Sequence, residues 1–296
     1  FIKPRQLLGA KTRQIITDLA KFLREVSRST QQSSLGALSI DQYLLSGGYS
    51  DAFRYGFLFP AFAGICTCSL ESVKRYPASV IANYLTGGVL LSGVRRVVCG
   101  VRDVVARLLS PVHEVRYEAS VTEVRTDNEE VHVYDSRGEK RSFDHLVIAT
   151  QANQALGLLS AGFAAERRAL GAFEYEKSRV VMHTDIRLAP AERKSWCPVN
   201  FVNEVPEVSP MATIWMNSVQ PDLRNVGTPL FQTWNPIVEP KEEAVLSDVV
   251  FERPVVTLKT QEAIGEIERL HSQPGRRVWF CGSYASQGVP LLESAA

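Results

Sequence analysis

Cysteine is scarce in this chain, five among 296 residues, and the number is odd. In a chain of this length that count argues against a disulfide framework and for reduced thiols in an intracellular, cytoplasmic setting. Cys66-Thr67-Cys68 is one residue too tight for a C-x-x-C pair and no Cys/His cluster accompanies it, so it reads as packing and no metal site is expected. Long apolar runs are missing too, none approaching the ~20 residues of a membrane-spanning helix. Near the start, Lys11, Arg13 and Asp18 interrupt any apolar stretch of the kind a signal peptide needs. Charge of one sign is absent: 33 Lys and Arg against 32 Asp and Glu leave a formal +1, which gives no whole-chain signature for nucleic acid. Internal repeats and low-complexity tracts are absent as well.

What remains is an ordinary globular composition, 45% hydrophobic and 22% charged, enough for one large core or two interleaved ones. From Gln6 to Leu109 the chain reads as mostly helical, with breaks at Ser33-Ser34, Gly47-Gly48, Pro60 and Gly87-Gly88. From Val112 to Thr150 alternating runs predict a β-meander, turned at Asp127-Asn128 and at Ser136-Arg137-Gly138, that feeds a core strand. Helices follow at 153–159 and 164–172, then short strands at 178–184, 199–203, 211–217, 230–234 and 248–252, and a helix over about 260–270. The fold class is α/β (α+β).

The most informative stretch is 275–296. Val278-Trp279-Phe280-Cys281 is an apolar run stopped by Gly282, followed by a loop containing Gly288 and by a helix start at Val289 or Pro290. Strand, loop and helix in that order bring small residues and orphan helix N–H groups to the carboxyl end of a sheet, where electron-rich ligands bind. A second segment, Asp144-His145-Leu146-Val147-Ile148-Ala149-Thr150-Gln151, has the same character: an apolar strand with a small-residue exit. Both runs are unbroken rather than alternating, which predicts buried strands that meet in the fold although far apart in sequence.

FDHLVIAT and VWFCGSY, joined by GGYSDAFRYGFLFP (47–60), YPASVIANYL (76–85), VVMHTD (180–185), TIWMN (213–217) and PLFQTWNP (229–236), resemble the flavin-containing amine oxidase superfamily nearly end to end. The closer likeness is to a branch of FAD/NAD-binding, amine-oxidase-like proteins associated with cyclopropane-fatty-acid synthases. The resemblance implies an FAD cofactor, a small-molecule or lipidic substrate and a cyclopropane-fatty-acid synthase-like partner. It further implies that Val121 meets the adenine through its backbone, that Ala149, Thr150 and Gln151 form the turn beside the adenosine diphosphate, and that Gly282, Ser283 and Tyr284 form the ribityl turn. Many members place an acid at that last turn; this chain has none. Gly288, Val289, Pro290, Leu291 and Leu292 would direct helix N-terminal amides toward the flavin's carbonyl edge, where reduction builds negative charge. Trp215, Asn217 and Trp234, read as lying on strands, would floor a substrate chamber, with core packing as the alternative.

Such flavoproteins open with a strand, a G-x-G-x-x-G turn and a helix. No such motif occurs between Phe1 and Ala296. The expectation is therefore a fragment, lacking the first βαβ unit and carrying an inserted mixed-sheet substrate domain. The expected parts are 1–110 (helical cap region), 111–160 (FAD-domain meander and core strand), 161–258 (substrate-domain strands) and 259–296 (returning FAD-domain helix, strand and flavin-facing loop).

Other candidates are weaker. Residues 1–30 hold seven Lys or Arg against two acids, and Leu8, Ile15, Leu19, Phe22, Leu23 and Val26 follow helical spacing. This is a surface helix packed by its apolar stripe or, more sharply, a basic amphipathic helix over residues 7–28 in peripheral contact with anionic lipid. His183-Thr184-Asp185 suits a strand-terminal hydrogen bond better than proton transfer. Gly47-Gly48-Tyr49-Ser50 lacks the flanking glycine of a nucleophile elbow, and Cys281-Gly282-Ser283 lacks a base, which disfavours hydrolases. Two classes stay open: an FAD-dependent oxidoreductase, and a non-catalytic remnant of that fold acting as a binding module.

Overall fold

A computed structural model describes residues 9–27, 32–89, 99–127, 129–202 and 210–290. The first part is helical: α1 (Ala10–Val26), α2 (Gln32–Ala37), α3 (Ile40–Ser46), α4 (Asp51–Phe53), a π-helical turn Arg54–Leu58, α5 (Phe59–Cys66), α6 (Leu70–Lys74), α7 (Ala78–Tyr84) and α8 (Gly100–Leu109). Local chemistry sets several of these starts. The Ser39 hydroxyl accepts from the Gln42 N–H and the Gln42 side chain accepts from the Ser39 N–H, closing a capping box; Ser50 and Ser69 cap α4 and α6. Pro60 fits the first turn of α5, where its missing N–H costs nothing.

The helices enclose one apolar core around Phe22, Phe53, Phe59, Phe62, Leu44 and Ile81, all at most 1% exposed. The stripe on α1 is spent there: Phe22 is fully buried, and Ile15, Leu19, Leu23 and Val26 pack against the same core. The lipid-contact reading of residues 7–28 thus loses its apolar face to the protein interior. Among the described residues no helix is long and apolar enough to cross a membrane.

A second core gathers segments remote in sequence. β1 (Val121–Thr126), β2 (Val131–Asp135) and β3 (Lys140–Phe143) form an antiparallel meander. It leads into β4 (Leu146–Ile148), α9 (Ala152–Leu158) and α10 (Ala164–Leu170). Near the other end come α12 (Leu258–His271), started by a Thr257/Thr260 capping box, and β10 (Val278–Phe280). β4 and β10 pair in parallel, Leu146 with Val278 and Ile148 with Phe280. Val124, Ile148, Ala152, Leu170, Ile264, Ile267 and Phe280 then bury together, so α10, beyond residue 160, shares this core.

The expectation that both runs are buried throughout needs correction. Ile148, Val278 and Phe280 are buried, but Val147 is 59% exposed. Ile148 faces a packed core while Val147 faces an open groove, so an unbroken apolar run here marks a strand covered on one face only.

Between those segments lies a five-stranded antiparallel sheet of order β6-β7-β8-β5-β9: β5 (Tyr175–His183), β6 (Val199–Val202), β7 (Met211–Trp215), β8 (Phe231–Trp234) and β9 (Val245–Pro254). The expected strand over 211–217 ends at Trp215, and Asn217 lies on a short helix, α11 (Met216–Val219), from which its side chain ties down the 223–230 loop by four hydrogen bonds.

Because Phe22 anchors α1 while Ile16 on the same helix is 40% exposed, Phe22→Ala should cost about 3–5 kcal/mol and Ile16→Ala under about 1. Chemical denaturation checks this; equal costs would show that α1 is not part of the core.

Candidate functional site

The exits of β4 and β10 lie side by side. The Cys281 N–H donates to the Ile148 carbonyl at 3.1 Å, continuing the parallel ladder one residue past β10. Gly282 then takes φ +144°, a conformation L side chains rarely adopt, and a Cβ built there would lie 3.1 Å from the Tyr284 ring and 3.7 Å from the Thr150 carbonyl. The expected Ala149-Thr150-Gln151 and Gly282-Ser283-Tyr284 turns are thus packed against each other. Tyr284 folds back onto Phe173 at 5.1 Å, edge to face, and burial pushes its phenol well above the usual range. Ala149 and Thr150 stay exposed.

A groove of about 470 Å³ runs along the uncovered side of β4. Val121, Val124, Val133, Val147, Ala149 and Thr150 line it, so Val121 shares one groove with the exit of β4. Gln151 faces away: its amide donates to the Glu252 carbonyl at 2.9 Å and its side chain helps cap α9. The Ala152 N–H, at the start of that helix, donates to the Tyr175 hydroxyl at 2.7 Å, and burial pushes the Tyr175 phenol up to about 12.

From Gly282 the chain crosses to the helical core. Val289 is buried among the helices and the Pro290 carbonyl accepts from Arg253 at 3.3 Å. Gly288 takes φ +130° in open space. Leu291 and Leu292, and the helix expected from Val289 or Pro290, lie outside the described residues.

A second groove, about 540 Å³, separates the five-stranded sheet from α5. Cross-strand register sets its wall. Phe201 pairs with Ala212, Ala212 with Trp234, Trp234 with Val180 and Val180 with Val249, so with a period of two Val199, Ile214, Phe251 and Arg253 point the same way. Gly64 on α5 permits the approach of Phe201, which lies 2.1 Å from where a Cβ would stand. Trp234 and Phe251 meet at 6.0 Å. Trp215, one residue out of step with Ile214, falls on the opposite face against Trp196 at 5.3 Å. Of the three expected chamber residues only Trp234 lines this groove.

That opposite face carries a closed polar chain. The Asp185 N–H donates to His183 Nδ1, which leaves the proton on Nε2 to donate to Thr233 Oγ1 at 2.7 Å. Thr233 donates to Thr213 and Thr213 to the Leu188 carbonyl. Burial lowers the His183 pKa, and Arg187 beside Asp185 holds that carboxyl well below its usual range. Every partner lies in the sheet or in the turn that follows β5, the strand-terminal arrangement expected of this histidine.

A family model for flavin-containing amine oxidoreductases matches residues 6–188. The chain belongs to that family. No curated protein sequence matches it. Among solved structures it is similar to the CLA-producing fatty acid isomerase from P. acnes, with a TM-score of 0.62 at 12% identity over 96% of this chain and 72% of that one. It is also similar to a cofactor-binding redesign of putrescine oxidase, TM-score 0.60 at 10% identity over 96% and 72%. At such identities the likeness shows the fold.

Flavin is the cofactor that names the family. The residues present fit part of it: the small-residue turns at Thr150 and Gly282 leave backbone accessible at a sheet's carboxyl edge, and the groove beside β4 offers an apolar wall for a flat ring. For a pyrophosphate they do not fit, since no Lys or Arg is among the described residues that line that groove. Among the described residues no group of three or more His, Cys, Asp or Glu is placed to hold a metal ion.

Gly282→Ala should destabilise the protein by about 1–3 kcal/mol through its backbone conformation, whereas Gly157→Ala in α9, where a Cβ meets nothing, should be neutral or stabilising; thermal denaturation distinguishes them. His183 should leave a pH signature. Its folded pKa is depressed, so its contribution is complete above the unfolded value of about 6.5 and declines as the pH falls below it, where the unfolded chain gains a proton first. In His183→Gln that part of the slope between pH 7 and 5 should vanish.

Proposed function

We propose that this chain forms part of an FAD-dependent oxidoreductase site acting on a small or lipid-linked apolar substrate. The observation that carries the reading is the meeting of the Thr150 and Gly282 turns at the carboxyl edge of the β4/β10 pair, with Val121 across the groove. In it Val121, Ala149 and Thr150 hold the adenosine side, while Gly282, Ser283 and the 288–290 loop hold the flavin side. The bound flavin would supply hydride or electron transfer. The chain's own residues bind, orient and exclude water: Val121 and Val147 wall one side, Tyr284 buttresses the Gly282 turn, and Trp234 and Phe251 keep the substrate groove apolar.

The interleaved division of the chain belongs to the same proposal, with the five-stranded sheet as substrate-binding insertion between the two segments that build the β4/β10 pair. A lipid-linked substrate agrees with the apolar wall of the second groove and with the fatty acid isomerase among the similar folds. The binding-module reading is favoured by one observation, that no Lys or Arg is among the described residues lining the groove beside β4, and differs in outcome.

Titration with FAD, followed by flavin fluorescence, is the test. Saturable binding is expected, weakened about tenfold, or 1.4 kcal/mol, by Gly282→Val. Reduction of the bound flavin by a turned-over substrate would separate enzyme from binding module, and no saturable binding at all would overturn the cofactor assignment.

A further inference from the structure

Arg253 stands out electrostatically. It lies on β9 where the sheet faces α5 and lines the 540 Å³ groove, otherwise walled mostly by Ile65, Phe201, Ile214, Trp234 and Phe251. Its hydrogen-bond partners are all uncharged oxygens: the Ile65 carbonyl at 3.0 Å, Thr67 Oγ1 at 3.4 Å and the Pro290 carbonyl at 3.3 Å. Among the described residues two other guanidiniums with little exposure are handled otherwise. Arg54 meets Asp41 at 2.7 Å, and Arg276 meets Glu166 at 2.5 Å. Glu176, the cross-strand neighbour of Arg253, gives a carboxylate oxygen to the Ser69 N–H at 2.8 Å. Glu252 also lines the groove, but its carboxylate is engaged by Asn153 and Lys177 rather than by Arg253. Arg253 therefore makes no ion pair among the described residues.

A half-buried cation with neutral partners is costly unless something anionic completes it. A guanidinium carries five N–H donors in a planar fork matched to a carboxylate, and three are engaged by the protein. We propose that the groove between the five-stranded sheet and α5 binds an apolar molecule through a carboxylate on Arg253, so that the substrate class is an aliphatic or aromatic carboxylic acid rather than an amine. The proposal rests on the substrate-groove reading above and narrows it. Phe201, Ile214, Trp234 and Phe251 receive the apolar body. Since Arg253 also holds the Pro290 carbonyl, the acid would be gripped beside the loop assigned to the flavin side.

The experiment is calorimetric titration of the protein with three probes of equal chain length: decanoate, decanol and decylamine. Decanoate should bind at least about tenfold more tightly than either other probe, the scale of a charge-assisted hydrogen-bonded pair. Arg253→Gln should abolish the preference and Arg253→Lys should keep part of it, with far-UV circular dichroism showing that both variants are folded. Equal affinities, a preference for decylamine, no binding of any probe, or an unchanged preference in Arg253→Gln would each overturn the proposal. Flavin fluorescence reports the cofactor site separately, so absence of decanoate binding to the unmodified protein with FAD binding retained would sink this inference alone.

Discussion

The parallel pairing of Leu146–Ile148 with Val278–Phe280 is the constraint on which the proposed site depends. Three residues of ladder make a weak sheet by themselves, and a parallel pair needs a long crossover. Here the crossover is most of the second half of the chain, including the whole five-stranded sheet. What holds the pair is the apolar layer on one face, where Ile148, Val278 and Phe280 pack with Ala152, Ile264 and Ile267. With that layer in place, the two small-residue turns have little choice but to emerge together, and Gly282 is the residue that can pass under Thr150.

Charge is distributed in keeping with this division. Buried arginines in the helical core and beneath β10 are neutralised in place, and the His183–Thr233–Thr213 chain ends on the Leu188 carbonyl with each group paired. These groups stabilise and are occupied. Arg253 alone among the groove residues carries positive charge without an ion-pair partner. It joins α5, β9 and the loop that leads from the Gly282 turn, and so couples the sheet to the helical core.

Much of this was legible in the sequence because the signals were local. Glycine and proline breaks, helical spacing and period-two runs placed most elements to within a few residues, and the small-residue exits after two apolar runs marked the turns at Thr150 and Gly282. Other features were not readable. Val147 looked buried because sequence does not show whether both faces of a strand are covered; the Ile148 face is packed, whereas Val147 lines an open groove. Trp215 and Trp234 looked alike, yet cross-strand register sends them to opposite faces. Arg253 gave no sequence signal, since its meaning lies in how the neighbouring carboxylates of Glu176 and Glu252 are engaged elsewhere, which only the structure shows. The amphipathic pattern of α1 was read correctly as a stripe, but only packing decides whether a stripe faces lipid or protein.

The central claim, that the exits of β4 and β10 form one edge of a flavin site, is tested most directly by hydrogen exchange with and without FAD. Amides at 149–151 and 282–284 should gain protection together on adding the cofactor, while those of the closed chain at 213 and 233 should not change. Protection confined to other parts of the chain, or to one of the two turns, would contradict the account.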